Sequence, residues 1–501
     1  AVLCGSAILL TQSKGGLLAL AVGGVVLGVL TFLWGKVEGL ERLKPALGRI
    51  FAVVLSLLMA GMILTVLTRT DKNGGVLARV TSSSGTAEQS AGYRANLWKG
   101  AIAMVKERPI GYGIGTYRFE SARPGITPQT HLAHQTYLQL AAEASPAALV
   151  LFLAVAVMWF VHVLRGSAKV PCETNLLRAG IIAAVVAIGA HGLIDSDLYY
   201  YGIGLSTFML LGMGLLLSVD AVAPENVPTG VRKTAALGTV LLVLLCSFLG
   251  VTEVLKGQMR AALLSADRKQ VESLKPVLAS YGSADGESWY LLSQAAADSR
   301  ELGESLKNAV ELAPTPRNYR ALARYQAKSG GIPQAISTLD RALLRDPNNM
   351  LALSAKADFQ LEFKDIAGAR QTLERLIAVE SSPYFQIRAI PEVVPTETYE
   401  ARVKLAAIAD DEESRVELLL RAIQGFKKYR ETTLPMVKRM ATVPGGNYAG
   451  ETLDSATRKM TTAAQAARKL AEIHRGEGDT SAAATAEAEA GAFEGALESS
   501  K

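Results

Sequence analysis

Apolar residues are distributed unevenly along this chain. Up to about Val251 they gather into long uncharged runs. Beyond that point they recur at helical spacing among charged residues. The uncharged runs are Gly15–Trp34, Ile50–Leu67, Pro146–Leu164, Ala179–Leu193, Gly202–Val219 and Ala235–Val251. A helix needs roughly 20 apolar residues to cross the hydrocarbon core of a bilayer, within a range of about 17–25. Most of the runs meet that length, and Ala179–Leu193 reaches it once Ile194 and its flanks are included. The pattern predicts an all-α protein, with a polytopic transmembrane helix bundle over residues 1–251 and a water-facing helical region after it. One large polar loop, Thr68–Ser145, interrupts the apolar series.

The polar half repeats. Ala335 and Ala369, Leu339 and Leu373, Ala342 and Leu376, Ala323 and Ala357, and Tyr319 and Leu353 each stand 34 residues apart. That is the tetratricopeptide period, one helix–turn–helix unit per repeat. Pro314 and Pro347 mark repeat ends, with Ala309 in the small-residue slot of an earlier copy that starts near Trp289. The expected organisation is a linker helix over 252–282, an α-solenoid of about three tetratricopeptide repeats over 283–382, and weaker helical pairs over 383–501. The Ala/Glu-rich end, Thr480–Lys501, reads as a frayed helix or disordered tail. No catalytic constellation falls in this half, and His474 reads as a solvated helix position. Such a solenoid suits a protein partner.

Charge sets an expected orientation. Gly35–Arg49 carries Lys36, Arg42, Lys44 and Arg49; Arg165–Arg178 carries Arg165, Lys169 and Arg178; Asp220–Thr234 carries Arg232 and Lys233. The alternate short loops hold Lys14 alone or no basic residue. Basic residues near span ends favour the cytoplasm. The loop Thr68–Ser145, the turn Ile194–Tyr201 and residues 252–501 are therefore expected outside the cytoplasm. Three cysteines, Cys4, Cys172 and Cys246, with no CxxC spacing, supply neither a disulfide framework nor a zinc site. A net charge of +6, with acids interleaved among the bases, gives no basic patch for nucleic acid. Ala1–Leu10 is apolar, without a basic leader or cleavage site, and reads as the end of a membrane helix that begins upstream.

The chemistry-bearing residues lie in the polar loop. Ser90–Arg108 reads as an amphipathic helix with Trp98, Ile102 and Val105 on its apolar face and Arg94, Lys99 and Lys106 as its charges. Pro109 and Gly111 stop it. The glycines of Gly111–Gly115 lack the spacing and strand context of a dinucleotide fingerprint. His131 and His134 then precede an apolar helix. His134 is the candidate general base, since an imidazole titrates near neutrality; its plain alternative is a hydrogen-bonded structural residue. His131 and His134 stand three apart, but no third ligand follows at metal spacing, so no metal is expected. Lys14 and Arg94 fall on the same membrane face. Two fixed cations neutralise a diphosphate; singly, each also reads as a surface charge at the interface. His191 and Asp195 read either as a polar pair tying two helices together or as secondary site candidates.

Thr11-Gln12-Ser13-Lys14-Gly15-Gly16 before a span, Arg94 and Trp98 followed by Pro109, Gly111, Gly113 and Gly115, then His134-Gln135 with Leu138, and finally His191-Gly192-Leu193-Ile194-Asp195, together resemble the O-antigen ligase and polymerase superfamily over roughly Ala1 to Leu217. The resemblance implies a multi-span glycosyltransferase-like fold in a bacterial cytoplasmic membrane. It implies glycan transfer from a polyprenyl-diphosphate carrier to a lipid, glycan or protein acceptor, with no cofactor. His134 would then take the acceptor proton, and Arg94 and Lys14 would hold the diphosphate. This chain departs from the family's pattern in three places: Lys14 stands where arginine is common, Gln135 where asparagine or serine often follows the histidine, and Ser145 where glycine is frequent. The competing reading is a non-catalytic membrane scaffold whose repeats gather polysaccharide-assembly or export partners.

Overall fold

A computed structural model of the protein describes residues 14–38, 85–165, 172–218, 229–386, 394–442 and 452–498. All the regular elements among them are helices. The run Ile50–Leu67 and Cys4 lie outside the described residues. The chain divides into two compact units. One falls within Ala1–Ser121 and Thr130–Ala236, the other within Ala122–Gln129 and Leu237–Lys501.

The first unit contains α1 (Lys14–Glu38), α2 (Gly85–Glu107), α3 (Thr136–Ala144), α4 (Pro146–Arg165), α5 (Cys172–His191) and α6 (Tyr201–Leu216). Within α1, α4 and α5, the segments Gly15–Trp34, Pro146–Arg165 and Thr174–His191 are long and apolar enough to cross a bilayer; α6 is a shorter apolar helix. Large apolar side chains such as Val25, Leu151, Met158, Phe208 and Met209 point outward. That is expected where lipid rather than water is the solvent. Between spans, burial of apolar area gives little drive, and close packing decides the contact. A methyl group added at Gly23 would stand 3.0 Å from Ala187 Cβ and 3.1 Å from the Ala183 carbonyl oxygen, tighter than ordinary contact, so glycine lets α1 and α5 approach closely there. Gly214 of α6 likewise leaves room for the Trp159 ring, whose indole N–H donates to the Leu211 carbonyl at 2.8 Å.

Two sequence expectations shift in this unit. Arg178 is not a loop charge. It lies in α5, fully buried, with its guanidinium over the Trp34 ring at 5.1 Å and donating to Asn175 Oδ1 and to the Val163 carbonyl. The buried face of α2 is Leu97, Ala101 and Met104 rather than Trp98, Ile102 and Val105, and Ile102 is exposed. Both sets have the same helical spacing. The choice follows from Trp98, which stays at the edge because its indole N–H donates to the His134 carbonyl at 3.2 Å.

Helix α7 (Thr229–Leu264) has 36 residues, of which those from Leu237 onward belong to the second unit. Leu237, Val240, Leu241 and Leu244 are exposed along its apolar part. Past Thr252, the residues Leu255, Met259 and Ala262 are buried against α8 (Arg268–Tyr281) and α9 (Gly286–Gln294). Helical pairs follow: α9 with α10 (Ser299–Leu312), α11 (Pro316–Lys328) with α12 (Ile332–Arg345), α13 (Met350–Glu362) with α14 (Ile366–Ala378), α15 (Glu397–Ala407) with α16 (Glu412–Ala441), and α17 (Leu453–Gly476) with α18 (Thr480–Glu498). Every residue of the five 34-spaced pairs is buried, and the alanines at 323, 335, 357 and 369 are completely so. Small residues at those positions let paired helices approach. Asp285, Asp298, Thr315, Asn349, Asp365, Asp411 and Thr452 each accept a backbone N–H from the first turn of the helix they precede. Each such cap contributes about 1 kcal/mol. Residues 480–498 are not a frayed tail: Phe493, Ala486 and Ala490 are buried against the α16–α17 core. The alanines keep α18 close to α17, and the one large ring anchors it.

Asp346, at the end of α12, is almost completely buried. Its Oδ2 accepts from Asn349 Nδ2 at 2.9 Å and from the Tyr384 hydroxyl at 3.0 Å, while Oδ1 has no hydrogen-bond partner among the described residues. Its neighbour Asn348 donates to the Gly125 carbonyl at 2.9 Å. Burial pushes the Asp346 carboxyl up to about 6 against those hydrogen bonds. The folded state therefore holds the proton more tightly than the unfolded chain, so this group's contribution is favourable at low pH and is lost as pH rises from about 4 to about 6. Thermal melts of the wild type and Asp346→Asn across that window are expected to converge or diverge steadily with pH, the wild type losing stability relative to the variant. A constant difference would show that Asp346 is already ionised in the fold.

Candidate functional site

The site is built where α3 begins. His134 adopts a left-handed backbone, φ 50°, which non-glycine residues rarely adopt. The turn is held from several directions. The Thr136 N–H donates to the Gly192 carbonyl at 2.9 Å and to the Asp195 carbonyl at 3.1 Å. The Thr136 hydroxyl donates to the Asp195 carbonyl at 3.0 Å, and the Gln135 N–H donates to Ser196 Oγ at 3.1 Å. Gln135 caps α3, its side-chain oxygen accepting from the Leu138 N–H. Asparagine and serine are strong caps at such a position, so Gln135 performs with a longer arm what the more usual residues do.

This turn places the His134 imidazole against Asp195. His134 Nδ1 and Asp195 Oδ1 are 3.0 Å apart. The Ser196 N–H donates to the same oxygen at 2.8 Å, and Arg94 Nη2 stands 4.0 Å from Asp195 Oδ2. The hydrogen bond with His134 is the main influence holding the Asp195 carboxyl below its ordinary value; the Ser196 N–H and the neighbouring His134 and Arg94 charges act the same way, against partial burial. The carboxylate is therefore ionised at neutral pH. An ionised acceptor at Nδ1 fixes the ring orientation and leaves Nε2 free for a substrate proton. Side-chain exposures of 29% for His134, 24% for Asp195 and 35% for Arg94 keep the three groups reachable by substrate.

A buried polar frame supports them, and sequence reading missed it. Gln139 Oε1 accepts from the Ala133 N–H at 3.0 Å and from the Ser196 hydroxyl at 2.9 Å. One turn on, Glu143 accepts from the Tyr117 N–H at 2.9 Å and from the Tyr199 hydroxyl at 3.0 Å. Burial and Glu143 push the Tyr199 hydroxyl upward, so it stays a donor. The available signal was a glutamine and a glutamate four apart in the otherwise apolar Leu138–Ala144. Such spacing puts both on one helix face.

The other candidates have distinct places. His191 and Asp195 do not pair with each other: His191 Nδ1 lies 2.6 Å from Asp197 Oδ2, and Asp195 serves His134. His131 is exposed on the loop before the turn. Lys14 opens α1, and its side chain lies outside the described residues. The following Gly15 packs against this region, since a methyl there would stand 3.2 Å from His191 Nε2 and 2.5 Å from Ile194 Cδ1. Among the described residues, no three or more His, Cys, Asp or Glu side chains gather as an ion site.

The glycine-rich stretch also has a structural role. Gly111, at φ 85°, lies so close to α3 that a methyl would come within 2.3 Å of the Glu143 carbonyl oxygen. The Tyr112 and Gly113 N–H groups donate to the Ala142 and Glu143 carbonyls at 3.1 and 2.8 Å. Ser145, between α3 and α4, has φ 110° and ψ 157°. That region is nearly restricted to glycine.

Residues 1–153 match the family model described as O-Antigen ligase. No curated protein matches the chain. Two solved structures are similar in part. A type IV pilus biogenesis factor, PilW, shares 13% identity with a TM-score of 0.31, covering 48% of this chain and 91% of its own. The APC/C hetero-tetramer Cut9-Hcn1 shares 12% with a TM-score of 0.28, covering 73% of this chain and 83% of its own. The repeats here are defined by the 34-residue spacing of their own buried positions.

Replacing Ser145 by glycine is expected to raise the thermal midpoint. Relief of a strained backbone is worth about 1–3 kcal/mol. The opposing loss, the Ser145 Oγ acceptor for the Ala148 N–H at 3.1 Å, costs only a few tenths of a kcal/mol when the replacement is glycine. A lowered midpoint for Ser145→Gly in detergent would mean that the cap outweighs the strain.

Proposed function

We propose, from the match of residues 1–153 to the family model described as O-Antigen ligase, that the protein transfers a glycan from a polyprenyl-diphosphate carrier to an acceptor hydroxyl on the outer side of a bacterial cytoplasmic membrane. Glycan transfer is the family's role. The observation that supports the finer reading is the convergence of His134 and Arg94 on Asp195.

In this reading, Asp195 holds His134 through Nδ1, and Nε2 accepts the proton of the acceptor hydroxyl. The acceptor oxygen forms a bond to the anomeric carbon as the bond from that carbon to the diphosphate oxygen breaks. The glycan leaves on the acceptor, the proton stays on His134, and the lipid diphosphate departs with the bonding pair. Arg94 offsets the developing charge. Lys14 is proposed as the second cation, on the same membrane face; it keeps the charge of the family's arginine but lacks the two-pronged geometry. The diphosphate is already a good leaving group, so the reading needs no cofactor. His131 and His191 are assigned no proton-transfer step. The external loop and the solenoid are proposed to lie outside the cytoplasm, with the repeats recruiting a protein partner or acceptor. The scaffold alternative has no comparable support, because a scaffold needs neither the strained turn nor the ionised acceptor behind the imidazole.

Protein reconstituted in vesicles with a polyprenyl-diphosphate glycan and candidate acceptors tests this. His134→Ala is expected to lower turnover by about 10²–10⁴-fold, the usual range for a lost general base. Asp195→Asn should lower turnover by a similar order while leaving donor binding near wild type, because it changes the tautomer and not the shape. Wild-type turnover in His134→Ala would rule out the assigned base.

A further inference from the structure

The second unit carries a cluster of arginines that its own acids offset only in part. Arg317, Arg320 and Arg324 stand at i, i+3 and i+7 on α11, and therefore on one side of it. The opposite side, Asn318, Tyr319, Leu322 and Ala323, is buried in the helical core. Arg317 stacks over the Tyr290 ring of α9 at 3.9 Å and donates to Glu287, which also accepts from Arg260 at 3.2 Å. That is one carboxylate for two guanidiniums. Neither Arg320 nor Arg324 has an ion pair or side-chain hydrogen bond among the described residues, and the Nε of Arg320 is buried without a partner. Burial and then the like charge of Arg324 lower the Arg320 pKa; Glu397 and Tyr290 oppose them, and Arg317 adds a smaller lowering influence. A half-buried guanidinium with cationic neighbours and an idle donor is costly unless an anion completes it.

The charges of the adjacent helices narrow the identity of that anion. Lys356 is paired with Asp340 at 2.7 Å, and Lys404 with Asp358 at 2.5 Å. Glu397 and Glu400 of α15 bring negative charge on one side, Glu397 acting on Arg320 as well, and burial with the nearby Glu397 raises the Glu400 pKa. A uniform polyanion that followed this face would leave the arginines and meet those acids. An anion confined to one end of its ligand would not. Arg317 to Arg324 spans about 10 Å along the helix axis, which roughly three residues of extended peptide cover. The acids of α18 are already engaged: Glu487 pairs with Arg475, Glu489 with Lys427, and Glu494 with Arg468.

We infer that Arg317, Arg320 and Arg324, with Tyr290, form a docking site for a short acidic segment of a protein partner. This rests on the reading that the repeats recruit a protein. Its failure is distinguishable from failure of the glycan-transfer reading, because binding is measured directly and without turnover.

The full chain in detergent is titrated with a labelled peptide bearing four consecutive glutamates, with the same peptide carrying glutamines, and with an acidic oligosaccharide. The glutamate peptide should bind, and its affinity should fall with salt. Arg320→Gln with Arg324→Gln should weaken it by about tenfold or more, as expected for lost charge pairs across an interface. Because Arg324 is exposed, Arg324→Gln alone should weaken binding without shifting the melting midpoint, which keeps the test valid if Arg320→Gln misfolds. Equal binding of the glutamine peptide, unchanged binding in Arg324→Gln, or preference for the oligosaccharide would each overturn the assignment.

Discussion

The site depends on keeping one carboxylate ionised at the edge of a membrane-embedded bundle. A charge moved partly out of water must gain partners or lose its ionisation. Asp195 gains three: the His134 ring, the Ser196 N–H and, at longer range, Arg94. His134 and Arg94 come from segments far from Asp195 in the chain, so the carboxylate also acts as a geometric constraint. It draws the start of α3, the turn after α5 and the side of α2 into one place. The left-handed backbone at His134 is tolerated because Thr136 and Gln135 tie the turn to Gly192, Asp195 and Ser196. Gln139 and Glu143 extend the same logic inward, each accepting from two donors.

The two units solve packing differently because their solvents differ. In the apolar unit, helices meet where glycine removes a side chain, as at Gly23 and Gly214, and outward faces remain apolar. In the repeat unit, water drives alanine and leucine seams together, and aspartate, asparagine and threonine caps mark each helix start. Within the second unit, α7 itself passes from the exposed Leu237, Val240, Leu241 and Leu244 to residues buried against α8 and α9.

Much of this was legible in the sequence. Span length is a local property, and so is a 34-residue period, so both survive without tertiary information. His134 and Arg94 were legible through residue type and spacing. The partnership of His134 with Asp195 was not, because the two lie 61 residues apart and His191 offered a nearer partner in the chain. Proximity in sequence misled there: the helix ends at His191, and the following turn carries Asp195 away toward α3 while Asp197 comes back. Arg178 was misread because a positive-charge count treats each arginine beside a span as a loop residue. The apolar face of α2 was read one position off, since a tryptophan whose N–H is engaged can sit at the rim of a helix whose core face lies beside it. Glu143 was silent because a lone acid on an apolar helix looks like a surface residue until its two donors are placed around it.

Arg178 has a consequence for biogenesis. A guanidinium in the first turns of a span opposes independent entry of that segment into lipid. Its relief comes in part from Asn175 of α5 itself and otherwise from the Trp34 ring of α1 and the Val163 carbonyl of α4. Lipid therefore receives α5 more favourably where α1 and α4 stand beside it. A single buried cation thus ties the favourable placement of α5 in lipid to the presence of α1 and α4 beside it.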